Sequence, residues 1–253
     1  MRIVCLSAET ADLCARLGAW DEVVAVSAYA DQTNLPPKPI ASGFSSGGAE
    51  FILKFSPDLV LGYSDVQADL AGALIRAGAN VFVTNQRTLA ETVHAMRMVG
   101  RLIGRATEVE WQITEFEGEL EALRRPAGNG PRVYFEEWPD PVVTGIAWVG
   151  ELIELLGAAD AFADQRGRSA KERVTTDEEV CNRAPEIVVA SWCGMPVDIG
   201  KLQSRFAGTP AGRSGQFYEI PSADILQPGL RLVRGARALR SLLDKAERGS
   251  HCV

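Results

Sequence analysis

Histidine is nearly missing from this chain. Of 253 residues only His94 and His251 carry an imidazole, one in a stretch that reads as helix and one in the tail. That leaves too few for a histidine-rich catalytic metal centre and no well-placed base for a Ser-His-Asp or Cys-His nucleophile. Cysteine is also scarce: Cys5, Cys14, Cys181, Cys193 and Cys252 make an odd number with no C-x-x-C pair. Neither a disulfide framework nor a structural zinc site is expected, and a reducing compartment fits. No basic run occurs; 26 Lys and Arg face 33 Asp and Glu, for a net charge of −7, which argues against nucleic acid as the main partner. No apolar stretch approaches the ~18 residues of a membrane span. Met1-Arg2-Ile3-Val4-Cys5-Leu6 runs straight into a strand without the apolar region and cleavage site of a leader. As the sequence stands a cytoplasmic protein is expected, and a periplasmic one if a leader is missing. G-x-x-x-x-G-K-[ST] and G-x-G-x-x-G are both absent; Gln32 to Gly48, with Pro36-Pro37 and Pro39, reads as loop, and its glycines from Gly43 to Gly48 come without a phosphate-binding lysine.

What is present is an ordinary globular composition, 46% hydrophobic and 23% charged, long enough for one large domain or two small ones. The stretch from Arg105 to Arg125 organises it. Val109, Ile113, Phe116, Leu120 and Leu123 recur at helical steps and form one apolar stripe. Glu108, Glu110, Glu115, Glu117, Glu119 and Glu121 form the opposite face. Thr107 is a candidate N-cap, and Pro126 ends the run. About 20 residues at ~1.5 Å rise give a rod of roughly 30 Å. An amphipathic helix inside a single domain has the same local pattern, but strands alternate with helices on both sides of this one. The expectation is therefore an α/β protein of two Rossmann-like lobes with parallel sheets, joined by one long backbone helix. Its parts are an N-terminal lobe at 1–104, the helix at 105–125 and a C-terminal lobe at 126–253.

The halves share a pattern. Glu50 is followed seven residues later by Pro57-Asp58-Leu59-Val60, and Glu178 seven residues later by Pro185-Glu186-Ile187-Val188. Leu17-Gly18-Ala19-Trp20-Asp21 returns as Leu156-Gly157-Ala158-Ala159-Asp160. Two matches in the same order suggest a duplicated lobe related by an approximate two-fold about the helix. Aromatic residues fall at strand ends and in connecting loops: Tyr29, Tyr63, Trp138, Trp148 and Trp192. Open α/β sheets bind ligands outside the carboxyl ends of their strands. Rings there offer rigid contact area to a flat or bulky apolar ligand, although each ring alone could equally pack a core. Glu136-Glu137 could form an acid/base pair or simply a solvated strand end.

These residues resemble a known family: the substrate-binding proteins of ABC importers for cobalamin, iron-siderophore and haem, the type with a helical backbone. The resemblance covers nearly the whole chain. It is carried by Val26-Ser27-Ala28-Tyr29-Ala30-Asp31, by Glu50 through Tyr63, by Glu178 through Val189, and by Gln227-Pro228-Gly229-Leu230-Arg231. It is nearest to the vitamin B12-binding members, and to a branch often lacking an export signal whose second half opens with Glu137-Trp138-Pro139-Asp140-Pro141. The resemblance implies a non-enzymatic carrier that holds a corrinoid, or alternatively a ferric siderophore or haem, in the cleft between its lobes. It implies no intrinsic cofactor and a monomer that does not span the membrane. Tyr29 and Tyr63 match ring contacts of the first lobe. Glu50 and Glu178 match acidic residues that dock onto arginines of an ABC permease. Gln227 stands where an arginine is common, and with Arg231 would hold the ligand's polar rim. A rival reading is a cofactor-processing enzyme with Cys193 or Glu137 as the reacting group. Cys193 and Met195 are weak candidates for soft ligands to a cofactor metal.

Overall fold

Ile3, Val4 and Cys5 are wholly buried, and a strand apolar on both faces must lie inside a covered sheet. The computed structural model describes residues 1–43, 48–128 and 130–250. The positions 44–47 of the Gly/Ser run, and His251 and Cys252, lie outside the described residues. Five parallel strands, β1 (Ile3–Cys5), β2 (Val23–Ser27), β3 (Ile40–Ser42), β4 (Leu59–Tyr63) and β5 (Val81–Thr84), form one sheet in the order β3-β2-β1-β4-β5. A second sheet holds β6 (Arg132–Pro139), β7 (Val142–Thr144), β8 (Ala159–Asp160), β9 (Ile187–Ala190) and β10 (Phe217–Glu219). Its order is β10-β9-β6-β7, with β8 on the start of β6.

The chain divides into two compact units, Met1–Gln86 with Ala90–Phe116, and Arg87–Leu89 with Glu117–Val253. The division falls inside the long helix, Ala106–Leu123. Val109, Ile113, Phe116 and Leu120 of its stripe are buried. Within the first unit, Arg97 grips Glu110 bidentately at 2.7 and 2.9 Å. A Cβ on Gly100 would lie 2.4 Å from that of Val109, so only glycine allows this approach. Within the second unit, Arg240 donates to the Leu123 carbonyl at 2.9 Å, and Arg125 pairs with Asp244 and Glu247 of the last helix. That last helix runs Leu232–Ser250.

The duplication extends to details of each unit. Arg2 donates its backbone N–H to Asp58 Oδ2 at 2.7 Å, and its guanidinium to the carbonyls of Phe55 and Ser56. Arg132 donates its backbone N–H to Glu186 Oε2 at 2.8 Å, and its guanidinium to the Arg183 carbonyl. Ser56 and Ala184, each just before the proline, both adopt positive φ, 48° and 47°. Ile52 and Val180, two residues after the glutamates, are both fully buried. Gly18 and Gly157 end their helices in the left-handed region, and the next residue, Ala19 or Ala158, bonds back five positions to Cys14 or Ile153.

Two expectations need correction. The second sheet is mixed, because β7 runs antiparallel to β6. A short turn at Asp140-Pro141 reverses the chain, which suits an antiparallel pair, whereas a parallel one needs a long crossover. The stretch from Gln32 to Gly48, which reads as loop, contains the edge strand β3, too short for its alternation to register. Phe116→Ala should cost ~3–5 kcal/mol through the cavity it leaves. Exposed Glu117→Ala should stay within about ±0.5 kcal/mol. Equal small effects in a denaturant titration would remove the stripe's role in stability.

Candidate functional site

In a parallel sheet the strands' carboxyl ends share one edge, and loops leaving that edge carry most of the chemistry. In the first unit Tyr29 leaves β2 in a turn and is half exposed. Tyr63 ends β4 and is buried; its Oη donates to the Gln86 carbonyl at 3.3 Å. Its backbone N–H donates to Gln67 Oε1 at 3.0 Å, while Gln67 Nε2 reaches the Leu6 carbonyl at 2.9 Å. This bridge passes Gly62, where a Cβ would lie 2.7 Å from Gln67 Oε1.

Glu9, in the first turn of the helix after β1, is a residue that the sequence reading misses. It is 9% exposed, and desolvation pushes its carboxyl up to about 7, against a lowering hydrogen bond from Ser7. Its Oε1 has no hydrogen-bond partner, nor does Oγ of buried Ser42 at the end of β3. The signal that could have found it is a glutamate directly following a buried strand at a helix start.

In the second unit Glu136 is fully buried near the end of β6. Its carboxylate accepts from Tyr134 Oη at 3.0 Å, Trp192 Nε1 at 3.2 Å, and both Nη atoms of Arg205 at 3.0 and 2.9 Å. Burial raises its pKa, opposed by Arg205. Glu137 is held instead by buried Arg173 at 2.6 and 3.1 Å. The two glutamates are thus locked into separate ion pairs rather than placed as one acid/base couple. Thr144 Oγ1, Arg173 Nε and Ser191 Oγ are buried without partners. Thr144 lies level with Glu136 in the β6–β7 register, Ser191 directly follows β9, and Arg173 donates to the Thr144 carbonyl.

The five rings separate. Tyr29 presents an open face. Tyr63 and Trp192 lie beneath the surface with their polar atoms engaged. Trp138 is half-buried against the second core, its N–H on the Asp140 carbonyl at 2.9 Å. Trp148 lies not in a loop but in the helix Ala147–Leu155, 1% exposed, donating to the Ile225 carbonyl at 2.8 Å. Its helix is apolar nearly all round, so the ring is needed in the core. Tyr63 and Trp192 are also not equivalent. The ladder pairs Ile3 with Leu59 and Val133 with Ile187, so the counterpart of Tyr63 is Ser191.

Gln227 and Arg231 are half-buried in the segment before the last helix, whose first turn bonds to the Arg231 carbonyl. Cys193 and Met195 are exposed past β9. Desolvation of the sulfur, then the Glu137 carboxylate, raises the Cys193 thiol, so it is a poor nucleophile at neutral pH. Among the described residues no group of three or more His, Cys, Asp or Glu could hold a metal ion. Glu50 and Glu178 are exposed second residues of the short helices Ala49–Leu53 and Asp177–Asn182. No described helix is long and apolar enough to cross a membrane.

Two α/β units that gather rings and buried polar groups at strand carboxyl ends define a two-lobe binding protein. The chain belongs to the periplasmic binding protein family, whose profile, described as "Periplasmic binding protein", matches residues 3–223. It is similar to a vitamin B12-binding protein of Yersinia pestis (strain Pestoides F), 26% identical over 204 residues, covering 78% of this chain and 71% of that one. The fold is shared with a periplasmic haem-binding protein from Roseiflexus sp. RS-1 in its apo form, TM-score 0.81 and 22% identity over 97% and 98% of the two chains. It is shared also with an ABC-type Fe3+-hydroxamate transport system protein from Saccharomonospora viridis, TM-score 0.73 and 18% identity over 95% and 92%.

Glu9 predicts a pH dependence. Its folded pKa lies above the unfolded value, so its contribution is full below about pH 4.5 and lost as pH rises through about 7. Glu9→Gln has no such loss. Its stability relative to the parent should climb between about pH 5 and pH 8 by a few kcal/mol, since each tenfold change in proton affinity is worth ~1.4 kcal/mol. Denaturant midpoints at the two pH values measure it; a constant difference would mean that Glu9 ionises freely.

Proposed function

We propose that this chain is a non-enzymatic binding protein for a corrinoid-type metal chelate. The observation that carries the reading is the set of buried, unpartnered polar atoms at the strand ends: Glu9 Oε1, Ser42 Oγ, Thr144 Oγ1 and Ser191 Oγ. Buried polar groups are rarely left unpaired, and a ligand bearing hydrogen-bonding groups would satisfy them. Three are hydroxyls, and the fourth is a carboxyl that burial pushes up to about 7. The buried Arg173 is already neutralised by Glu137. Such groups suit the amides of a corrinoid better than the carboxylates of haem. Tyr29, Tyr63, Trp138 and Trp192 supply ring contacts, and Gln227 and Arg231 hold the rim. The vitamin B12-binding relative supports this ligand class; a ferric siderophore or haem is the alternative on the same scaffold. Catalysis by Cys193 or Glu137 is disfavoured by the raised thiol and by the grip of Arg173.

Calorimetric titration with cyanocobalamin, cobinamide, haemin and ferrioxamine tests the reading. A corrinoid should bind, and Tyr29→Ala and Trp138→Ala should each weaken it by about 1 kcal/mol, the scale of an aromatic contact. Binding of ferrioxamine or haemin alone transfers the claim to that ligand, and no binding by any of the four removes it.

Glu50 and Glu178 are read as docking residues for arginines of an ABC permease, which would require the protein to work outside the inner membrane. Glu50→Arg or Glu178→Arg should abolish uptake by proteoliposomes carrying an ABC importer of the source organism while leaving ligand affinity unchanged, since a reversed charge facing arginine is strongly repulsive. Unchanged uptake would make both glutamates simple solvated helix starts, favoured there by the dipole.

A further inference from the structure

Glu178 sits one residue after Asp177, and Asp177 is not solvated alone. Arg205 donates Nε to both its oxygens at 3.1 and 3.0 Å, and Nη2 to Oδ1 at 2.6 Å. The same guanidinium holds Glu136 through both Nη atoms, and Glu136 holds the indole N–H of Trp192. Arg205 also lies over the Phe206 ring, 4.7 Å from its centre. A planar fork gripping two carboxylates fixes the elements that carry them in one relation. Here these are β6, which carries Glu136, and the first turn of the helix Asp177–Asn182; the Trp192 ring that follows β9 is joined through Glu136. Thr176 caps that turn by accepting from the Glu179 N–H, so Asp177 and Glu178 move together.

The first unit argues that the fold does not need this network. Counting from the shared clamps, Arg2 with Arg132 and Pro57 with Pro185, the counterparts of Glu136, Asp177 and Trp192 are Leu6, Ala49 and Ser64. There the same helix–proline–strand unit forms with Leu6 buried in an apolar core against which Ala49 packs. Burying an ion pair is at best weakly stabilising against an apolar core, and its best-attested use is to fix one arrangement among several.

We propose that Arg205 is a positioning residue that locks the Trp192 ring and the helix carrying Glu178 into one arrangement, coupling the strand end that would meet ligand to the helix that would meet a partner. This rests on the binding-protein reading for its meaning, but its test needs no ligand. The indole Nε1–H resonance of Trp192, assigned from its loss in Trp192→Phe, reports the ring. Hydrogen exchange at the Glu179 and Val180 amides reports the helix.

Asp177→Asn should shift the Trp192 indole resonance beyond the effect of a control, Glu108→Gln, on an exposed helix face of the other unit. Trp192→Phe, which keeps a ring but removes the donor, should speed exchange at Val180 about tenfold, the scale of one charge-assisted hydrogen bond. Arg205→Lys, a point charge without the fork, should reproduce both effects. If Asp177→Asn and Trp192→Phe each leave the other end unchanged and only Arg205→Lys moves both signals, Arg205 is an ordinary structural pair and the proposal is overturned. Should every chelate fail to bind, the functional reading falls while these measurements still decide whether ring and helix are joined.

Discussion

Two arginine clamps set the frame of both units. Arg2 immediately precedes β1 and Arg132 opens β6, and each ties its backbone N–H to the acid that follows a proline. The guanidinium caps carbonyls at the end of the short helix before that proline. One side chain thus aligns a helix end, a turn and a strand. The proline cannot continue the helix, and the positive φ at Ser56 and Ala184 swings the chain into the sheet. Once β4 is in register with β1, and β9 with β6, the strand ends line up at one edge and the glutamates stand exposed seven residues upstream. The individual bonds are partly solvated, so their worth lies in geometry more than in stability.

What the clamps do not set is the chemistry at the edge, and there the units diverge. The first edge carries an exposed tyrosine, and the helix after β1 carries a buried glutamate whose pKa desolvation raises. The second carries two buried ion pairs, Glu136 with Arg205 and Glu137 with Arg173. The divergence arises at positions that the frame leaves free, such as Leu6 against Glu136.

Much of the frame is legible in the sequence because it depends on local rules. The Gly18 and Gly157 stops, the Pro57 and Pro185 starts and the 3.6-residue stripe of the long helix each follow from backbone chemistry within a few residues. β3, β7 and β8 are not legible: two or three residues cannot show an alternation, and their pairing is decided by distant partners. The buried clusters are less legible still. Glu136-Glu137 reads as a solvated pair because nothing nearby reveals that Arg205 and Arg173, 69 and 36 positions on, neutralise them.

Five aromatics at strand ends look alike in the sequence, and the structure separates them by where their polar atoms go. An indole N–H in a core must find an acceptor. Trp148 finds the Ile225 carbonyl, a neutral backbone group that asks nothing further of the ring. Trp192 finds Glu136, a carboxylate that must also be neutralised, so that ring is joined to Arg205 and through it to Asp177. Both rings are nearly fully buried, so burial alone does not tell them apart. The difference is whether a substitution is confined to one cavity or carried to a second element. Phenylalanine at 148 removes a donor from one carbonyl, whereas at 192 it removes a donor from a buried carboxylate whose partner Arg205 also holds Asp177 in the helix of Glu178.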